Sequence, residues 1–229
     1  MYKRQVFEAV AMGIGGNNYY KNCYVDLKET CLRSETTVKV FDQMRKLQGF
    51  TDEGSPGRDW NVATGMVIEG KAGFQIMGDW AKGEFTAAGK VPGVDYYCSP
   101  TPSNNGYLYN VDSFIFYKTS DPDKQEGQKL LAKLMMGKNF QKVFNLYKGS
   151  IPARLDVSMD EFDKCAKTSN SDIKTAGAGG GLVPSFAHGM AQGNTMKAAL
   201  QDVITEHFNS DMSSVDAANA LADSVLDNM

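Results

Sequence analysis

Apolar side chains recur every three or four residues over much of this chain, a spacing that places them on one face of a helix. This pattern predicts helices over residues 6–12, 34–48, 59–69, 124–136, 140–147, 195–208 and 213–226. Ser34 stands where an N-cap is expected for the second of these helices, and Gly49 follows it as a stop. The segment from Ser158 to Glu161 matches a capping box, which predicts one further helix around Phe162.

Three shorter apolar stretches have the composition of strands. Residues 72–77 form a run short enough for a buried strand, and residues 94–98 and 107–118 are rich in Tyr, Phe, Val and Ile. A turn cluster with two prolines, at residues 100–106, separates the last two stretches. The sequence therefore predicts a mixed α/β fold with few strands and many helices.

Composition and charge narrow the class of protein. The chain has 229 residues, of which 42% are apolar, enough for one large domain or parts of two with a real core. Its 24 basic and 27 acidic residues give a formal net charge of −3 and form no long runs of one sign. No basic surface for nucleic acid or an anionic membrane is therefore predicted. No stretch approaches the roughly 20 apolar residues that a membrane-spanning helix needs.

The first five residues fit poorly with the helical pattern that follows them. Lys3 and Arg4 are basic, but Glu8 interrupts the next apolar run and no small-residue cleavage site appears, so this is not a signal peptide. The predicted helix also opens at Val6 without a capping residue. We therefore expect residues 1–5 to be a foreign or truncated leader.

The chain contains four cysteines, Cys23, Cys31, Cys98 and Cys165, with no CxxC pair among them. Because the chain has only two histidines, a zinc site is not expected, and no other metal is predicted. An even number of cysteines allows three full pairings or a set of free buried thiols. The residues alone leave both open.

Motifs for nucleotide binding and catalysis are weak. The glycine-rich segment 177–181 is followed by Leu182 where a phosphate loop needs Gly or Ala, so it is interpreted as a flexible linker. Residues 13–16 lack a Walker lysine and are interpreted as a loop. His188 and His207 are the only histidines that could act as a base, and no cofactor is predicted. Pairs among the acidic residues keep glycoside hydrolysis open as an enzymatic alternative.

Polar and aromatic residues stand where apolar elements end. Asp79 and Trp80 follow the predicted strand 72–77 directly, where a Trp would face a cleft, although an isolated Trp is more often part of a core. Asn110 and Asp112 lie two residues apart in an aromatic strand, so their side chains would point to one face. The alternative is that both cap a neighbouring loop.

Four segments in this order carry a resemblance to a known family: GKAGFQIMGDWA at 70–81, NVDSF at 110–114, KGSIPAR at 148–154 and PSFAHG at 184–189. Together they resemble the extracellular solute-binding proteins of sugar ABC transporters, in particular the glucose/mannose-binding branch. The resemblance covers essentially everything after Gln5. It implies a type II periplasmic-binding-protein-like fold with two α/β lobes joined by crossover strands.

The resemblance also implies how the chain divides between these lobes. Residues 6–111 and 157–229 would form most of the C-terminal lobe, and residues 112–156 would belong to the other lobe. The first part of the fold would then be largely missing. An apolar face left uncovered in residues 112–156 would favour self-association.

The resemblance implies a sugar-binding site drawn from the four segments. Trp80 would stack on the apolar face of a pyranose, and Asp112 would accept hydrogen bonds from two adjacent sugar hydroxyls. Lys148 and His188 would donate to the remaining hydroxyls, which are costly to bury unpaired.

Two further implications of the resemblance are less direct. Asp79 and Asn110 are weaker candidates for the same site. Cys98 and Cys165 would form a disulfide, because the family is exported to an oxidising compartment, whereas Cys23 and Cys31 would be a local pair or free.

The function implied is non-enzymatic capture of a monosaccharide, glucose or mannose. The protein would work outside the cytoplasm, close by hinge motion near Asp112 and present the closed form to a membrane permease. The alternatives are a carbohydrate-active enzyme with a carboxylate pair and a fragment that binds nothing alone.

Overall fold

The computed structural model describes residues 2–103 and 105–229, and it divides the chain into two compact units. The first unit comprises Met1–Met77, Ser99–Asn110 and Asp172–Met229, and the second comprises Gly78–Cys98 and Val111–Ser171. The second unit therefore contains the predicted segment 112–156 together with residues on both sides of it. The assignment of that segment to a separate lobe stays a prediction.

Helices make up most of both units. Those of the first unit are α1 Tyr2–Tyr20, a π-helical turn Lys21–Val25, α2 Glu29–Leu32, α3 Glu35–Gln48, α4 Trp60–Ile68, α9 Asn194–Asn209 and α10 Ser214–Leu226. Those of the second unit are a 3₁₀ turn Asp79–Ala81, α5 Lys82–Ala87, α6 Pro122–Met135 and α7 Lys138–Lys148. Helix α8, Lys164–Ala178, begins in the second unit and ends in the first.

The core of the first unit lies where α1, α3, α9 and α10 pack together. Phe7 of α1 meets Phe41 of α3 with ring centroids 5.0 Å apart. His207 of α9, the second histidine weighed as a base, is buried against the Phe41 ring at 4.8 Å. Burial lowers the pKa of His207 to about 4, so it is a neutral core residue.

Periodicity predicted most of the helices correctly. Helix α3 begins after Ser34, whose hydroxyl accepts a hydrogen bond from the Thr37 backbone N–H at 3.4 Å, and ends at Gly49. Ser213 caps α10 in the same way, and accepts from the Asp216 N–H at 3.1 Å. The other helices predicted over 59–69, 124–136, 140–147 and 195–208 are also present, with ends shifted by a few residues at most.

The N-terminal segment differs from expectation. Helix α1 begins at Tyr2, four residues before the start predicted at Val6, and the interpretation of residues 1–5 as a leader stays a prediction. The side chains of Lys3 and Arg4 donate hydrogen bonds to Asn209 and Gln201 of α9, which fixes them to the core.

Residues 13–16 lie within α1, so the loop predicted there is wrong. A Cβ at Gly13 would lie 3.0 Å from the Pro102 carbonyl oxygen, and a Cβ at Gly15 would lie 2.1 Å from Cδ1 of Tyr19. The helix is kinked at Gly16, where φ is 72°. These glycines therefore allow close packing and a kink.

The strand predictions are largely wrong. Within the described ranges the sheet consists of β1 Tyr107–Tyr109 and β2 Leu182–Pro184, which pair in parallel. Residues 110–118 do not continue β1, residues 94–98 contribute an isolated bridge from Tyr96 to Pro92, and residues 72–77 form no strand. A strand needs a neighbour for its backbone hydrogen bonds, and the described part of the chain gives these stretches none.

The segment around β2 also differs from expectation. The backbone carbonyl of Gly181, in the predicted flexible linker, accepts a hydrogen bond from the Tyr107 N–H at 2.9 Å, so the linker contains the end of α8 and the turn that leads directly into β2. The capping box predicted at Ser158 is wrong, because the Ser158 hydroxyl accepts from the Asp160 N–H in a local turn, and the helix that contains Cys165 begins at Lys164. Asp163 instead accepts from the Ala166 N–H at 2.9 Å at the start of α8. Asn104, part of the predicted turn, lies outside the described residues.

All four cysteines are paired. The predicted disulfide between Cys98 and Cys165 is confirmed and lies within the second unit. Cys23 pairs with Cys31, which corresponds to the local alternative.

Replacement of a core leucine in α10 should cost far more than replacement of an exposed one. Leu221 is 0% exposed and Leu226 is 43% exposed on the same helix. We expect Leu221→Ala to lower the free energy of unfolding by about 2–5 kcal/mol, and Leu226→Ala by under about 1 kcal/mol. Urea unfolding followed by far-UV circular dichroism measures both, and equal losses would contradict this packing.

Candidate functional site

The second unit brings together four of the predicted site residues: Asp79, Trp80, Asp112 and Lys148. The Asp79 carboxylate accepts a hydrogen bond from the Ile151 backbone N–H at 3.0 Å. Burial raises the pKa of Asp79, although this hydrogen bond opposes the shift. Asp79 therefore joins the start of the 3₁₀ turn to the residues that follow Lys148.

A close approach of two backbones explains why these segments meet. A Cβ at Gly83 would lie 2.8 Å from the Lys148 carbonyl oxygen, and a Cβ at Gly149 would lie 2.5 Å from the Gly83 nitrogen. Gly149 also ends α7 with φ of 87°, a left-handed conformation that favours glycine. The two glycines thus let the start of α5 rest directly on the end of α7.

The indole of Trp80 lies over Gly78. A Cβ at Gly78 would be 2.2 Å from Cζ3 of the indole, so any larger residue would displace the ring. Trp80 is half-buried, so it is not a fully buried core residue, the alternative given for it in the sequence analysis.

Asp112 and Lys148 form an ion pair. The side chain of Asp112 is mostly exposed, whereas that of Lys148 is partly buried and its ammonium lies 5.7 Å from the centre of the Phe144 ring. Such a partly exposed pair contributes little to stability. What it provides is an acceptor and a donor side by side.

A partly buried ion pair lies next to this group. Lys82, only 6% exposed, donates to Asp163 at 2.8 Å, and Asp163 also caps α8. A buried ammonium needs such a partner. Sequence reasoning missed Lys82, although its position directly after Asp79-Trp80-Ala81 was a possible signal.

The first unit contains the other two predicted residues, Asn110 and His188. Asn110 directly follows β1, and because the strand ends at Tyr109, the prediction that Asn110 and Asp112 share one strand face is wrong. His188 lies in the segment after β2, with Nδ1 2.8 Å from the Ser185 hydroxyl and Nε2 2.6 Å from Nε2 of Gln5.

A buried carboxylate lies beneath His188. Glu8, 4% exposed, accepts hydrogen bonds from the Ser185 hydroxyl at 2.7 Å, the Tyr20 hydroxyl at 3.1 Å and the Ala187 N–H at 3.3 Å. Burial raises the pKa of the Glu8 carboxyl to about 7 against the opposing effect of these donors. Sequence reasoning missed this residue as a partner of His188. The available signal was a single acid within an apolar helical run.

The described residues contain neither a metal-binding cluster nor a membrane-spanning helix. No group of three or more His, Cys, Asp or Glu side chains there could hold a metal ion. No helix within residues 2–103 and 105–229 is long and apolar enough to cross a membrane.

Comparison with known proteins shows the class of fold and then the family. A Streptococcus pneumoniae solute-binding protein, solved in complex with the blood group A-trisaccharide, superposes with a TM-score of 0.67 at 17% identity, over 99% of this chain and 58% of that one. The fold is therefore that of a solute-binding protein, as predicted. Residues 7–173 match the family model described as "Bacterial extracellular solute-binding protein".

Curated relatives of this chain are also described as extracytoplasmic binding proteins. A "Probable sugar-binding periplasmic protein" of Brucella suis is 44% identical over 96% of this chain and 52% of its own length. One of the same description from Rhizobium meliloti is 42% identical over 96% of this chain and 53% of its own. This chain belongs to the family of bacterial extracellular solute-binding proteins, and it spans about half the length of these relatives. Proteins of this family are carriers, so the prediction that the chain is not an enzyme is confirmed.

The raised pKa of Glu8 predicts that the free energy of unfolding decreases as the pH rises. A carboxyl whose pKa is about 7 in the folded state and 4.5 ordinarily contributes stability that is complete below about pH 4.5 and lost as the pH rises through 7. Between pH 5 and pH 8 the wild type should lose about 2 to 3 kcal/mol from this group. Glu8→Gln, which stays neutral, should lack that loss.

Urea unfolding at both pH values measures the difference between the two proteins. Glu53→Gln, a change at an exposed residue, serves as the control and should keep the wild-type dependence. Identical pH dependence in Glu8→Gln and the wild type would show that Glu8 has an ordinary pKa.

Proposed function

We propose that this chain is part of a sugar-binding protein of an ABC transporter, and that it captures a monosaccharide without chemical change. The observation that carries the proposal is the grouping of Trp80, Asp79, Asp112 and Lys148 in one compact unit. It is supported by the relatives described as sugar-binding periplasmic proteins and by the trisaccharide complex of the Streptococcus pneumoniae protein.

The chemistry of this group suits a sugar. The Trp80 indole would stack on the C–H face of a pyranose. Asp112 would accept hydrogen bonds from adjacent hydroxyls, and Lys148 would donate to one, in charge-assisted bonds that are stronger than neutral ones. Asp79, which already accepts from Ile151, would chiefly hold the Trp80 segment in place.

In the first unit, described by itself, His188 and Asn110 are also proposed sugar-binding residues. His188 would hydrogen bond to a sugar hydroxyl, and Asn110 would supply an amide next to the end of β1. Among monosaccharides we infer glucose or mannose, on the resemblance of the four sequence segments to that branch of the family.

The compartment and the transporter partner belong to the same proposal. Two disulfides, Cys23–Cys31 and Cys98–Cys165, suit an oxidising location outside the cytoplasm. The partner would be a membrane permease that recognises the sugar-loaded form after closure near Asp112.

The lobe assignment is also a proposal. We infer that residues 112–156 belong to one lobe and residues 6–111 with 157–229 to the other. Large apolar side chains are exposed on the second unit, which would favour self-association of the chain as it stands. They include Phe114, Ile115, Tyr117, Leu130, Leu134 and Tyr147.

Calorimetric titration with glucose, mannose and galactose tests the proposal. We expect saturable heat with one of the first two sugars, and no change in the sugar afterwards. Trp80→Ala and Asp112→Asn should each weaken binding by about tenfold or more, since each removes a direct contact worth about 1.4 kcal/mol.

The matched control is Asp123→Asn, a loss of charge at an exposed position of the same unit, which should bind like the wild type. Binding that survives both site variants would place the site elsewhere. No heat with any sugar would show that the chain alone is not a sugar-binding unit, and the longer protein would then be titrated in the same way.

A further inference from the structure

The hydroxyl of Ser185 connects the buried Glu8 carboxyl to the His188 ring. Its oxygen lies 2.7 and 2.9 Å from the two Glu8 oxygens and 2.8 Å from Nδ1 of His188, and it accepts from the His188 backbone N–H at 3.1 Å. All of these groups lie in the first unit. The hydroxyl has a single proton, which it can donate either to Glu8 or to Nδ1 of His188. The neighbour that does not receive this proton must itself donate to the Ser185 oxygen.

Ionised Glu8 can only accept hydrogen bonds. The Ser185 proton then points to Glu8, and Nδ1 of His188 must carry the ring proton and donate it to the Ser185 oxygen. Nε2 is left as the acceptor. With the Gln5 amide oriented as in the structure, its N–H donates to Nε2 at 2.6 Å, which requires the same tautomer.

When Glu8 is neutral, the directions of the Glu8–Ser185 and Ser185–His188 hydrogen bonds reverse. The carboxyl would donate to Ser185, the Ser185 proton would turn to Nδ1 of His188, and the ring proton would move to Nε2. The face of His188 opposite Ser185 would change from an acceptor to a donor.

We propose that Glu8 is a positioning residue that sets, through the Ser185 hydroxyl, which ring nitrogen of His188 carries the proton. The proposal rests on the proposed contact between His188 and a sugar hydroxyl, and it refines that contact. With Glu8 ionised, Nε2 is the acceptor, and a sugar hydroxyl would replace the Gln5 N–H as its donor, whereas the sequence resemblance made His188 a donor.

Glu8 changes its protonation state near neutral pH because of its surroundings. The pKa of Glu8 is raised to about 7 by burial, so both states are accessible. The other titratable groups nearby are Arg4 on the same helix, the Tyr20 hydroxyl, His188 itself and Lys197 of α9, whose Nζ would lie 3.5 Å from a Cβ at Gly189. Burial lowers the pKa of Arg4 and raises that of Tyr20 well above its ordinary value, so near pH 7 Tyr20 is neutral.

Nitrogen NMR of protein labelled with ¹⁵N-histidine reads the tautomer directly, without any sugar. The chain has two histidines, and His188→Asn identifies the signals of His188. At pH 8 we expect the wild type to show the proton on Nδ1. Glu8→Gln should show it on Nε2, because the Gln amide donates to Ser185 while its oxygen accepts from Tyr20 and Ala187. The control Glu53→Gln should match the wild type.

Two results would overturn the proposal: a wild-type proton on Nε2 at pH 8, or an unchanged tautomer in Glu8→Gln with native circular dichroism. If Glu8→Gln does not fold, Ser185→Ala combined with Gln5→Met, which also removes the donor to Nε2, decides the question, since loss of the hydroxyl should then abolish the preference for Nδ1. A preference for Nδ1 that is lost in Gln5→Met alone, with Ser185 and Glu8 intact, would contradict the relay.

Sugar titration of the same proteins separates this proposal from the proposed function. We expect Glu8→Gln to bind about tenfold more weakly than Glu53→Gln, the effect of one mismatched hydrogen bond. No binding by the wild type would count against the proposed function and leave the tautomer result standing. Equal binding by both variants, with the tautomer switched, would overturn the role of His188 at the sugar.

Discussion

The buried carboxylate of Glu8 is the constraint on which the arrangement of the first unit depends. A carboxylate removed from water is stable only where donors replace its hydration, and here these come from Tyr20, Ser185 and Ala187. Two of the three lie more than 170 residues away in the sequence. The carboxylate therefore fixes the segment after β2 against α1. The same contacts order the backbone that leads to His188, one residue beyond the last donor.

In the second unit the corresponding constraint is steric. Gly83 and Gly149 allow two backbones to meet at distances that no side chain could share, and this contact brings the Asp79-Trp80 turn to the end of α7. The ion pair of buried Lys82 with partly exposed Asp163 then joins the start of α5 to the start of α8. The segments around Asp79 and Lys148, which looked like separate motifs, are thus parts of one packing arrangement within the second unit.

The sequence predicted what depends on local spacing and failed where the structure depends on distant partners. Helix α3 was predicted with its capping Ser34, and α10 was predicted over residues 213–226, because periodicity and caps are local. The strands at 72–77 and 94–98 were wrong, because their composition suits a sheet but no neighbouring strand is found in the described residues; Phe74 is 95% exposed. Each member of the Asp112–Lys148 pair was named from a resemblance, yet their mutual contact was not predicted. Glu8 was missed as a partner of His188 because no local pattern connects residues so far apart.

If Asp112 and Lys148 contact a ligand as proposed, their pairing would favour a neutral ligand over a charged one. In the structure each partner satisfies the charge of the other, so the pair has no net charge to attract an ion. A charged ligand that displaced one partner would leave the other without compensation, which is costly. A sugar hydroxyl both donates and accepts, so it can bridge the carboxylate and the ammonium while both charges remain paired. The same reasoning applies to His188, whose ring presents one acceptor and one donor whichever nitrogen is protonated. Both units thus offer hydrogen-bonding groups matched to polyhydroxyl chemistry, and neither relies on net charge.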